Sequence, residues 1–103
     1  MALITDPDRL SQGTSTAATG VTFGTPSGST VAISGTGLPA ITAGAYFEIR
    51  DANSPENNGL YIETGGSPTT SAITADKLSG DNGAIPVVDA VSSPTTEIGR
   101  AHV

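Results

Sequence analysis

The chain has 103 residues, of which 13 are Gly, 7 Pro, 11 Ser and 15 Thr, so a helical bundle is excluded and one small domain is allowed. Ten acidic residues against four basic ones give a net charge of −6, with Lys77 the sole lysine, which speaks against nucleic acid or an anionic membrane as partner. There is no cysteine and His102 is the sole histidine, so disulfides, thiolate chemistry and the usual Cys/His metal sites lack their ligands, and no cofactor is expected.

In chain order, Met1 to Leu10 supports one helical turn, with Thr5 or Asp6 as cap and Pro7 at the first helical position. Ser11 to Gly20 carries no large apolar side chain and reads as an extended arm or linker. Period-two alternation begins at Val21-Thr22-Phe23 and continues in Thr30–Ser34, with Val31 and Ile33 on one face. Ala45–Arg50 places Phe47 and Ile49 inward, with Tyr46, Glu48 and Arg50 outward. Leu60–Thr64 places Leu60 and Ile62 inward and leaves Tyr61 half-exposed for cross-strand packing. Ser71–Leu78 offers Ile73 and Ala75 on one face, and Ala84–Val91 forms a last apolar run containing Pro86.

Turn chemistry separates these pieces at Thr25–Gly28, Ala43-Gly44, Asn57-Asn58-Gly59, Gly65–Pro68 and Asp81-Asn82-Gly83. The Asn-Asn-Gly run predicts a tight reversal with positive φ. The expected fold is all-β, a small antiparallel barrel or sandwich with an extended N-terminal arm. The expected organisation is an arm over 1–20, a β domain over 21–92 and a C-terminal tail over 93–103. The expected core is Val31, Ile33, Ile41, Phe47, Ile49, Leu60, Ile62, Ile73, Leu78 and Val87.

Two stretches carry a resemblance. Met1-Ala-Leu-Ile-Thr-Asp-Pro-Asp-Arg-Leu10 resembles the N-terminus of virion structural proteins from tailed bacteriophages of aquatic origin. Ala43–Asp51, Asn57–Thr64 and Ser71–Ala75 together are similar to a small β module of phage structural proteins, with Ala45 where the common pattern has an acidic residue and a longer loop from Asp51 to Glu56. The resemblance covers a little under half of the chain. It implies a virion location, other virion proteins of capsid or tail as partners, and a homo-oligomer such as a trimer. Leu3, Ile4, Leu10, Tyr46 and Tyr61 are then the candidate interface residues. The terminal Glu97–Val103, back-translated, resembles the start of a short-read sequencing adapter. This gives the expectation that Ile98–Val103 is adapter read-through, that Arg100 and His102 have no role, and that the natural protein is longer.

The candidate chemistries are few. Asp51, Asn53 and Glu56 space oxygen atoms as a calcium loop does, but the glycine that an EF-hand needs at its sixth position is missing. Glu48 and Glu63, if they faced one another on adjacent strands, would resemble a glycosidase carboxylate pair. Ser11–Thr19 offers hydroxyls with no base, and Tyr46 with Tyr61 offers a platform for a sugar face. No catalytic, cofactor or metal residue is therefore assigned. The leading expectation is a non-enzymatic virion structural protein, a capsid decoration (cement) subunit. The alternatives are the N-terminal anchoring domain of a tail fibre or appendage, and a carbohydrate-binding module.

Overall fold

Alternating side chains become strands wherever a turn lets the chain return alongside itself. In the computed structural model, which describes residues 16–93 and 96–100, seven strands form. They are β1 Thr16–Phe23, β2 Thr30–Thr36, β3 Tyr46–Arg50, β4 Gly59–Glu63, β5 Ala72–Gly80, β6 Asp89–Ser93 and β7 Thr96–Arg100. All pairings are antiparallel. The order β2-β5-β4-β3-β7-β1 returns to β2 through the β1–β2 ladder, which closes a six-stranded barrel, and β6 is the additional strand. Closure removes the exposed edges of the six-stranded sheet. β6 and β7 share one side of β1: Val21 and Phe23 pair with β6, and Thr16 to Ala18 pair with β7.

The β3-β4-β5 meander with β2 returning beside β5 is a Greek-key arrangement. It sends the 37–45 connection across one end of the barrel. There Gly44 N–H donates to Glu63 Oε1 at 2.8 Å and Gly66 N–H to Glu63 Oε2 at 2.7 Å, so a buried carboxylate ties two loops together. The interior is filled by side chains, as a barrel this narrow requires. Val21, Phe23, Val31, Ile33, Phe47, Ile49, Tyr61, Ile73 and Ile98 are all buried. Phe47 and Tyr61, directly opposite in the β3–β4 ladder, stack with ring centroids 5.5 Å apart and planes at 14°. Such a pair adds about 0.5–1.5 kcal/mol beyond its area burial.

Several expectations are corrected. Tyr61 and Glu63, not Leu60 and Ile62, face the interior of β4. Leu60 and Ile62 are half-buried on the outside, and Val87 is half-buried in a loop. The register is the cause: Phe47 points inward and Tyr61 is its partner, so parity sends Tyr61 inward too. Leu78 is 42% exposed because alternation along β5 turns Ile73, Ala75 and Lys77 inward, and Leu78, an odd number of residues from Ile73, falls on the other face. The β4–β5 ladder also slips there, pairing Leu60 with Ser79 but Tyr61 with Lys77, so Leu78 is the extra residue of a bulge.

The chain ends also differ from the expectation. Residues 16–20 of the expected arm belong to β1, and the expected tail over 93–103 supplies all of β7. Ile98 is fully buried, and β7 pairs with β3 on one side and β1 on the other, Arg100 lying opposite Phe47. The segment from Ile98 to Arg100 therefore closes the barrel. Ala84–Val88 is loop, and only Asp89 onward is strand.

Candidate functional site at the loop-bearing end of the barrel

At the end of the barrel opposite Glu63, the β3–β4 connection (51–58) and the β5–β6 connection (81–88) lie side by side. The sequence sets this up through two facing glycines. Gly59 and Gly80 are register partners at φ +151° and +133°, and a Cβ on Gly59 would stand 2.1 Å from Ser79 O. Only glycine allows the two strands to approach so closely. The expected tight reversal at Asn57-Asn58-Gly59 is not formed. Pro55–Asn57 is a single 3-10 turn and Asn58 is extended at φ −70°, so within the run only Gly59 has positive φ, while Asp51 has φ 60° at the other end of the loop.

Asn57 is fully buried and joins the two loops. Its Nδ2 donates to Val87 O at 3.0 Å, and the Val87 N–H donates to its Oδ1 at 2.8 Å. The side chain thus acts as a strand partner for one residue of the neighbouring loop. The Tyr61 hydroxyl donates to Asn57 O at 2.6 Å, and the Asp81 N–H donates to Asn58 O at 3.1 Å. Ala52 N–H donates to Asn58 Oδ1 at 2.9 Å, which fixes the first half of the 51–58 loop.

Lys77 completes the lock. Its side chain is 1% exposed, and its ammonium donates to Glu56 O at 2.5 Å and to Asp81 O, one carbonyl from each loop. Burial lowers its pKa from the ordinary 10.5, with the Asp81 and Glu56 charges pulling the other way. Burial also raises the Tyr61 phenol well above its ordinary 10.0. A lysine with a lowered pKa resembles a nucleophile, but this one is enclosed by two carbonyls and shielded from solvent. Its work is structural.

Above this polar layer the loop exposes apolar side chains. Ile85 and Val88 are 54% and 56% exposed while Pro86 between them is buried. Asn82 Nδ2 donates to Ile85 O at 3.0 Å, so the ledge is held from both ends. The Glu56 and Asp81 side chains are also exposed, and both carboxylates act on the Lys77 charge. The loop thus presents exposed apolar side chains on a backbone held by hydrogen bonds, which suits binding.

The residues singled out in the sequence are distributed differently. Leu3, Ile4 and Leu10 lie outside the described residues. Tyr46 is 38% exposed on the outer face of β3, whereas Tyr61 is fully buried, so the two do not form a platform and Tyr61 is not an interface residue. Glu48 points outward on β3 and Glu63 inward on β4, so the carboxylates do not face one another. In the Asp51–Glu56 loop, Asn53 Nδ2 is 3.3 Å from both carboxylate oxygens of Asp89. Among the described residues, no group of three or more His, Cys, Asp or Glu could hold a metal ion. Asn57, Lys77 and the Ile85–Val88 ledge were missed in the sequence. Signals for them were present in the lone lysine on the inward parity of Ile73 and Ala75, and in the apolar Ala84–Val88 run broken by Pro86.

No protein-family model, curated protein or solved structure matches this chain. Its functional reading therefore rests on its own residues and geometry.

Proposed function

We propose that this chain is a non-enzymatic structural protein of a tailed-phage virion, and within that class a capsid decoration subunit that stabilises the shell by bridging neighbouring subunits. The observation that carries the binding role is the Ile85–Val88 ledge. Two large apolar side chains stand in solvent on a loop that Asn57 and Lys77 hold rigid, so docking needs little ordering there. The resemblance of Met1–Leu10 and of the β3–β5 region supports the virion assignment. A surface rich in Ser and Thr with net negative charge suits display in many copies, because it offers few sites for unintended association.

Long-read recovery of the genomic locus tests this reading. A short reading frame lying among genes for head assembly supports a decoration subunit. A frame that continues through the barrel into a long repetitive chain supports the appendage anchor instead. A locus with no virion genes contradicts both.

A further inference from the structure

We propose that Asn82 is a site of spontaneous covalent modification. The exposed Asn82-Gly83 turn closes to a cyclic imide and opens to aspartate and isoaspartate, while the barrel protects the second such pair, Asn58-Gly59. The chain has four asparagines, and only Asn58 and Asn82 precede glycine. Asn53 and Asn57 precede Ser54 and Asn58, whose side chains crowd the backbone nitrogen that must attack.

The step balances with water as the only co-reactant. The Gly83 backbone nitrogen gives its proton to solvent base and attacks Asn82 Cγ. A new N–C bond closes the five-membered ring, and the carboxamide nitrogen takes up a proton and leaves as ammonia. Water then opens the ring at either carbonyl. Breaking the bond to Cγ leaves aspartate. Breaking the bond to the main-chain carbonyl carbon leaves isoaspartate, with one extra methylene in the backbone.

Ring closure needs rotation about the asparagine backbone and room beside its glycine, and the two pairs differ in both. Asn82 and Gly83 are exposed in the turn over 81–84, outside every strand. A Cβ on Gly83 would meet no heavy atom within 4 Å. Two bonds must open, from Gly83 N–H to Gly80 O and from Asn82 Nδ2 to Ile85 O, both at 3.0 Å and both where water can replace them. Asn58 is half-buried; its Oδ1 accepts from Ala52 N–H and its main-chain carbonyl from Asp81 N–H. Gly59 starts β4, where a Cβ would stand 2.1 Å from Ser79 O and 2.9 Å from Gly80 Cα. Turning the Asn58-Gly59 peptide breaks the β4–β5 ladder, and turning Asn82-Gly83 breaks none.

The modification acts on the ledge. Ile85 is bonded twice to Asn82, its N–H donating to Asn82 O at 3.2 Å and its carbonyl accepting from Asn82 Nδ2. Conversion replaces that donor by a carboxylate oxygen, and isoaspartate also displaces the Asn82 carbonyl. Val87 keeps Asn57. The Ile85 end of the ledge loosens and the Val87 end stays held. The inference holds or fails independently of the virion reading.

Mass spectrometry of the full folded chain kept in mildly alkaline buffer tests it. After denaturation, cleavage following Arg50, Lys77 and Arg100 separates Asn58, in 51–77, from Asn82, the sole asparagine of 78–100. In the folded chain 78–100 is expected to convert about tenfold or more faster than 51–77, with isoaspartate among the products. In urea the two should convert at comparable rates. Amide exchange of the converted chain should accelerate at Ile85 and not at Val87. Equal conversion of the two peptides in the folded chain overturns the proposal, as does faster conversion of 51–77. So does an Asn82 that survives in the folded chain while the urea-unfolded chain reacts. Aspartate without isoaspartate would exclude the imide, and unchanged exchange at Ile85 would overturn the link to the ledge.

Discussion

The Asn57 carboxamide and the Val87 peptide group pair in both directions, at 3.0 and 2.8 Å, although the two residues lie 30 positions apart. This one side chain converts two adjacent loops into a single surface. Because Asn57 is fully buried, removing it leaves the Val87 N–H and C=O without their partner.

Asn57→Ala is therefore expected to cost about 2–4 kcal/mol of unfolding free energy. The loss will concentrate in one place. Amide exchange at Val87 should accelerate by far more than exchange in β2 or β5, since those ladders do not depend on Asn57. A uniform acceleration across the barrel would show that the loop pair is not a separable unit.

Lys77 and Tyr61 impose opposite pH dependences. Below the lowered native pKa of Lys77 both folded and unfolded chains hold the proton, and burying the charge costs stability. Between that value and 10.5 the folded chain releases the proton while the unfolded chain keeps it, so stability rises with pH. Above 10.0 the unfolded Tyr61 phenol ionises while the folded one stays protonated, so stability falls. Urea midpoints should pass through a maximum near about pH 10. Lys77→Met should remove the rising limb and Tyr61→Phe should flatten the falling one. Lys77 is the sole lysine, so no other lysine can supply the rising limb.

Thr96, at the start of β7, is fully buried, and its Oγ1 has no hydrogen-bond partner among the described residues. Thr96→Val keeps the shape and removes the orphaned hydroxyl, so it should stabilise the barrel by roughly 1 kcal/mol. Thermal or urea unfolding of the two proteins side by side checks this. A destabilised variant would mean that the hydroxyl is satisfied in solution.

Much of the barrel is legible in the sequence. Val31-Ala-Ile33 and Phe47-Glu-Ile49 alternate as strands with one buried face, and both face inward as expected. β4 misleads because Leu60 and Ile62 are more apolar than Tyr61 and Glu63, and hydropathy alone selects the wrong parity. The cross-strand partner of Phe47 decides it, and that partner depends on a loop whose Asn-Asn-Gly run signals a tight reversal that the chain does not make. β7 is hidden for another reason: Thr96–Arg100 offers one large apolar residue, Ile98, and becomes a strand through its neighbours β1 and β3. The ledge was legible as an apolar run but not as an exposed one, because the loop is held at Val87 by Asn57, a partner 30 residues earlier that local hydropathy does not reveal.

The central claim is that this barrel stabilises a virion shell by binding to it through the ledge. The direct measurement is co-sedimentation of the purified chain with shells assembled from the major capsid protein of the same locus, together with the melting temperature of those shells. The account predicts saturable binding and a raised shell melting temperature, both lost in I85S/V88S while the barrel stays folded. Absence of binding by the folded wild-type chain, with shell melting unchanged, would contradict it.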